Sequence, residues 1–308
     1  MNPNIFRTSA WLGALFAAVC LVDNLGQAQE KARRAERRAR RSQSAPDTDA
    51  DRDTASIPTQ SNAEPRKPDA NESSLTLRDV VNFAAESRAA VNDVKDYTAT
   101  FHKTEMVKGK QIKQEMLMKF RAKPFSVYFH YRGGSAEGRQ AIYVEGRYDN
   151  KLIVKEASGI ASLVGGGVHL RLNDPRVMAE NRYLVTHVGI ANLLETTIRD
   201  WERESKVPGD EVDVQFFPNA KLRDAVRQTE IPCQAVQVTH LKQLRELKYH
   251  MNRIYFDKES KLPLRAERFG WPARPGDKPP LLEEYRYTDL KTNVKLTDAD
   301  FDPVRYGF

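Results

Sequence analysis

Residues 253–272 read RIYFDKESKLPLRAERFGWP, two short runs bent back on each other around residues 257–261. Side chains alternate along a strand, so Ile254 and Phe256 share one face and Tyr255 takes the other. In the return run Leu262, Leu264 and Ala266 fall together, opposite Arg265, Glu267 and Phe269. A sheet built from such hairpins has one apolar face. What covers that face decides the architecture and points to the function.

The same texture extends in both directions. Strands are expected over residues 97–107, 112–121, 125–131, 141–145, 151–155 and 163–172, the first two joined by a hairpin at Lys108-Gly109-Lys110. Further strands are expected over 212–217, 220–229, 233–241, 249–257, 262–269 and 281–290. Two amphipathic helices interrupt the series. Residues 77–94 carry Leu77, Val80, Val81, Ala84 and Val91 on one stripe, with Thr76 and Asp79 placed as a capping pair. Residues 189–204 set Ile190, Leu194, Thr197, Ile198 and Trp201 against Glu195, Arg199, Glu202 and Arg203. Asp174-Pro175 reads as a helix start, and residues 297–303 as a closing turn with Phe301 tucked inward. Ten or eleven antiparallel strands with two or three helices make an α+β protein.

Two short helices cannot blanket ten strands, so a curved sheet plugged by helices is expected to keep a cavity beside them. Met116, Met118, Phe129, Phe256 and Leu264 recur on the inward face of separate strands and are the candidate lining. Methionine is flexible and suits a surface that accepts varied apolar ligands. Close-packed core is the alternative for each of these positions taken singly.

The N-terminus reads as an export signal. Arg7 precedes an apolar run over residues 10–22 (AWLGALFAAVCLV), and Gly26-Gln27-Ala28 supplies small residues for cleavage. A membrane-spanning helix needs about 20 apolar residues, more than this run offers. The expected organisation is a signal peptide over 1–28, a disordered linker over 29–72 and one domain over 73–308. The linker is basic and then acidic. Residues 31–41 (KARRAERRARR) hold seven cations against Glu36, and residues 42–72 are rich in Ser, Thr, Pro, Asn and Asp. Behind an export signal, Arg33, Arg34, Arg37, Arg38, Arg40 and Arg41 are expected to meet anionic lipid or envelope polymer rather than nucleic acid. A solvated spacer is the alternative.

Motifs for covalent chemistry are missing. The sequence has no His-Glu-x-x-His pair, no phosphate loop and no dinucleotide fingerprint. Gly133-Gly-Ser-Ala-Glu-Gly138 departs from a hydrolase elbow at Glu137 and reads as a turn. The six histidines are scattered, with only His240 and His250 placed to meet across a connection, and two imidazoles without a third ligand make a poor metal site. Cys233 is expected as a buried, inert thiol, left alone once Cys20 departs with the signal. Glu283 and Glu284 point to opposite faces of one strand and cannot act as a catalytic pair. No catalytic residue, cofactor or metal is expected.

The ordered set YTATFHKTE, QEMLMKFRAKPFSVYFHY, GRYDNKLIVK, RIYFDKESKLPLRAERFGWP and LKTNVKLTDADFDP resembles the outer-membrane lipoprotein carrier superfamily, the LolA/LolB and RseB group. It is more closely similar to a secreted bacterial family of unknown function related to those carriers, over about residues 78–303. The resemblance implies an antiparallel half-barrel with helices on its concave face and a cavity for acyl chains or a partner peptide, without cofactor or catalysis. It makes a lipid or lipoprotein the expected ligand in the periplasm or cell envelope. A sensor that binds a membrane-protein peptide is the other function it implies.

Overall fold

The computed structural model describes residues 75–158, 167–224 and 228–308. The signal segment over 1–28, the linker over 29–72 and its arginines, Arg33 to Arg41, lie outside the described residues. So does part of the expected strand at 163–172.

The described chain runs α1 (Leu77–Asn92), β1 (Asp96–Val107), β2 (Lys110–Arg121), β3 (Ser126–Arg132), β4 (Gln140–Val144), β5 (Leu152–Lys155) and β6 (Val168–Leu170). It continues through α2 (Pro175–Met178), α3 (Ile190–Glu204), β7 (Val212–Asp224), β8 (Thr229–His240), β9 (Met251–Asp257), β10 (Pro263–Phe269) and β11 (Leu281–Thr292). All eleven strands join one open antiparallel sheet in the order β6-β5-β4-β3-β2-β1-β11-β10-β9-β8-β7. It is therefore two meanders, β1 to β6 and β7 to β11, joined where β1 pairs with β11. The segment from β6 to β7 must pass from one free edge to the other, and it carries α2 and α3 on the way.

Both long helices form where the apolar stripes place them. Thr76 caps α1 with the reciprocal Thr76–Asp79 box, and Leu77, Val80, Ala84 and Val91 are buried. Helix α3 buries Ile190, Leu193, Leu194, Thr197, Ile198, Trp201 and Glu204. The helices are tied side by side by the paired hydrogen bonds of Arg88 to Glu195, at 2.8 and 3.0 Å. Their buried faces join the inward residues of the sheet in one core that includes Tyr97, Phe101, Met118, Val127, Val236, Ile254 and Leu264. A smaller core lies apart from it, where Phe301, Leu296, Tyr306 and Phe308 pack against Tyr128, Ile142 and Val144.

One strand expectation needs correction. Residues 212–217 and 220–229 are not two strands: residues 212–224 form the single edge strand β7. Its register with β8 shifts between Phe217 and Ala220, where Pro218 has no amide hydrogen for the ladder. The outward face of β10 carries buried charge. Arg265 and Glu267 are both buried, because Arg265 reaches Glu267 at 3.0 Å and Glu284 at 2.9 Å while lying over the Tyr255 ring. Interlocked charges and aromatic rings shield one another there.

Candidate functional site

A cavity of about 480 Å³ lies between the inward face of the sheet, helix α3 and the segment that leads into it. Its apolar wall starts from the register of four strands. Phe101 of β1 stands opposite Met116 of β2, Met116 opposite Tyr131 of β3, and Phe129 of β3 opposite Ala141 of β4. All five side chains line the cavity, with Leu152 of β5 beyond them. Across from this wall stand Val185, Val188 and Leu193. Gly189 allows the chain to turn into α3 there. Its φ is +116°, and a Cβ at that position would stand 2.9 Å from the Phe120 ring. The adjoining Ile190 amide donates to the Tyr97 hydroxyl at 3.3 Å.

The other end of the cavity is polar. Glu283 is fully buried and accepts from Tyr249 at 2.6 Å and Tyr183 at 2.7 Å, with Arg182 at 3.0 Å and Arg268 at 3.1 Å. Burial alone would raise its pKa, but the Arg268 charge, the two hydroxyls and Arg182 hold it below the usual carboxylate value. Burial and the same carboxylate push Tyr249 far above the ordinary phenol range. Beside this cluster Glu105 accepts from Tyr285 at 2.6 Å and from the Arg182 amide at 2.8 Å. Lys103 donates to the Glu180 carbonyl at 3.1 Å and to the Asn181 side chain. Its burial lowers its pKa despite the nearby Glu105.

These bonds anchor residues 180–183 to the sheet as a strap across the cavity. Arg182 makes the tightest set: its guanidinium reaches Glu283 and the Met106 carbonyl, and its amide reaches Glu105. Four charged side chains, Lys103, Glu105, Arg268 and Glu283, thus stay out of water as paired groups with the half-buried Arg182 among their partners, the arrangement that makes buried charge tolerable. Phe101, Lys103 and Glu105 share one face of β1, and Ala266 and Arg268 share one face of β10. The strand period that announced the apolar wall also placed its charges.

The rim carries Arg199, Asp200 and Arg203 of α3, together with Lys248 from the β8–β9 connection. Arg203 pairs with Asp200 at 3.0 Å. Arg199 reaches only the Thr196 hydroxyl, at 3.3 Å. Lys248 donates to the Tyr183 hydroxyl at 3.0 Å and sits 4.8 Å above the Tyr249 ring.

Of the five candidate lining residues, the structure brings Met116 and Phe129 to the cavity. Met118, Phe256 and Leu264 are buried in the core, away from the cavity wall. Phe256 is covered from α1 by the Phe83 ring, edge to face at 5.3 Å. Over Phe256 the first helix thus covers inward face that was expected to stay open. Sequence reasoning missed the strap, which has neither strand nor helix periodicity, and the inward cations Lys103 and Arg268. The i, i+2 spacing of those cations from Phe101 and Ala266 was the available signal.

The histidines do not assemble a metal site. His240 is buried between Glu204 and Asp210, and among the described residues no group of three or more His, Cys, Asp or Glu is placed to hold an ion. Cys233 is free and buried, with burial pushing its thiol up to about 12. Gly134–Ala136 is a single 3-10 turn. Among the described residues, no helix is long and apolar enough to cross a membrane.

Residues 94–307 match the family described as protein of unknown function DUF1571. The chain belongs to the DUF1571 family. No curated protein matches it. The solved structures similar to this DUF1571 chain include MucB, at 15% identity and a TM-score of 0.37, with 72% of this chain and 62% of that chain covered. A Pseudomonas aeruginosa MucA/MucB complex matches at 14% identity and a TM-score of 0.36, covering 73% of this chain and 60% of that one. A LolA superfamily protein from Nitrosomonas europaea matches at 10% identity and a TM-score of 0.31, covering 71% and 97%. This chain thus spans about three-fifths of the length of the MucB chains.

Proposed function

We propose that this domain is a non-enzymatic binding protein of the cell envelope that holds an apolar ligand between the open sheet and helix α3. One observation carries the reading: a 480 Å³ cavity with an apolar wall that includes Phe101, Met116 and Phe129, faced by Leu193 of α3. That volume falls in the range of about 300–1,000 Å³ typical of small-molecule pockets. The groups that could have served chemistry are engaged otherwise, since Glu283 is locked in ion pairs and Cys233 is a buried neutral thiol. The export signal expected over residues 1–28 would bring the domain to the periplasm or cell envelope. The arginines of residues 33–41 would hold the protein to anionic lipid or polymer surfaces there. Lipid or lipoprotein is the ligand class proposed, and no cofactor is required.

The test is ligand retention. Native mass spectrometry of the purified protein should show a co-purified small lipid, and a fluorescent acyl probe should bind with one-to-one stoichiometry. Met116→Trp, which fills the apolar lobe, should abolish both. Retained probe binding in a correctly folded Met116→Trp protein would refute the cavity as the site.

A second reading has its own observation. The edge strand β7 runs thirteen residues and has no strand beyond it in the sheet, so it could take a partner peptide by strand addition. A stable protein partner isolated without lipid, and lost on substituting prolines into β7, would favour that reading.

A further inference from the structure

We propose that the cavity selects a single-chain amphiphile with an anionic head, the chemistry of a fatty carboxylate or an alkyl phosphate. The inference rests on the cavity reading above and specifies its ligand. The argument is a balance of charge around one space. Three cations of the lining are paired internally: Lys103 beside Glu105 at 3.6 Å, Arg268 with Glu283 at 3.1 Å and Arg203 with Asp200 at 3.0 Å. Arg199 and Lys248 line the same cavity, are exposed, and have no carboxylate partner among the described residues. Each touches only hydroxyl groups or aromatic rings, at Thr196 for Arg199 and at Tyr183 and Tyr249 for Lys248. Two cations left over at the rim of an apolar cavity complement an anion carried on an apolar chain.

The rim sets the charge of the head, and the volume sets the number of chains. Asp200 is neutralised by Arg203, so the rim offers the charge of Arg199 and Lys248 to an anionic head, carboxylate or phosphate. At 480 Å³ the space lies in the lower part of the range for one small ligand, which suits one chain rather than two or three. The deep end, at Met116, Phe129 and Leu152, is apolar and takes the chain. The Arg199 and Lys248 rim takes the head.

The test uses the purified protein and displacement of a neutral naphthylamine fluorophore by three ligands of equal chain length: dodecanoate, dodecanol and dodecyl phosphate. Dodecanoate should displace the fluorophore at a concentration at least about tenfold below that of dodecanol. Its advantage should shrink at high salt, as expected for exposed charges. In the double variant Arg199→Gln, Lys248→Gln, dodecanoate and dodecanol should displace the fluorophore at the same concentration. Equal displacement by dodecanoate and dodecanol, or a preference that survives the double variant, would overturn the head-group inference and leave the cavity reading standing. Dodecyl phosphate should also displace the fluorophore below the dodecanol concentration, and a phosphate no better than dodecanol would overturn the anionic head. Failure of the native protein to bind the fluorophore or any of the three ligands would overturn both readings together.

Discussion

The Nε2 of His240 lies 3.2 Å from Oε2 of Glu204, the last residue of α3. The other ring nitrogen lies 2.8 Å from Asp210 Oδ2, so one imidazole ties the end of the helix to the following turn and to strand β8. Burial of the ring disfavours its charge, but the hydrogen bond and charge of Glu204 and the charge of Asp210 outweigh it, and its pKa is raised above 6.5. The remaining oxygens, Glu204 Oε1 and Asp210 Oδ1, are buried without a hydrogen-bond partner. The imidazolium is what makes the two carboxylates tolerable inside the protein.

A pH dependence follows. A group whose pKa is raised on folding contributes stability that is fully present below its unfolded value and is lost as pH rises through its folded value. Stability should therefore decline from pH 6.5 upward as His240 loses its proton. His130 and His250 are lowered by burial, so their contributions change below 6.5, on the other side of that value from His240's. Thermal melts of the native protein and His240→Gln across this range check the sign, since their difference should shrink as pH rises. A difference independent of pH would contradict it.

Glu283→Gln should cost about 3–5 kcal/mol, the usual scale for breaking a buried ion pair from one side. The substitution leaves Arg268 buried beside a neutral amide and deprives Arg182 of its strongest partner. Urea denaturation measures the loss. Hydrogen exchange should rise at residues 180–188 before it rises in the strands, because that segment is held to the sheet through Arg182 and Tyr183.

Two tryptophan substitutions one pleat apart should behave differently. Met116 faces the cavity, so Met116→Trp fills space and should leave the melting temperature nearly unchanged. Met118 is 1% exposed and lies off the cavity wall, so Met118→Trp should cost about 1–3 kcal/mol through overpacking. Equal losses would mean that the cavity closes around Met116 in solution.

Cys233 should be unreactive in the folded protein. Its thiol is buried and raised to about 12, chiefly by burial, with a smaller push from Asp257. A thiol reagent should label it only upon unfolding, with a rate that follows denaturant concentration. Rapid labelling under native conditions would show that β8 opens locally.

Much of this arrangement was legible in the residues themselves. Alternation placed ten of the strands, and the Thr76–Asp79 pair marked the start of α1 within the described chain. The expected cavity lining divided because alternation reports which face a side chain takes, not what lies above it. Met116 and Phe256 are both inward, yet only Phe256 meets Phe83 of α1. The strap was unreadable for another reason. Its order comes from partners far away in sequence, such as Arg182 with Glu283, rather than from any local period. The two strands expected at 212–217 and 220–229 failed in the opposite direction, since one strand can carry Pro218 at an edge where the ladder slips by a residue.

The β1–β11 seam has a consequence for how the chain reaches this state. Every other strand pairing joins neighbours in sequence, whereas Tyr97 must find Thr292 across nearly the whole domain. Hairpins can zip locally and early, while closing the seam requires the entropy of a very long loop to be surrendered at once. The seam should therefore set the folding rate. Substitutions along Phe101 and Tyr287 should slow folding, while equally destabilising ones between β4 and β5 should mainly hasten unfolding.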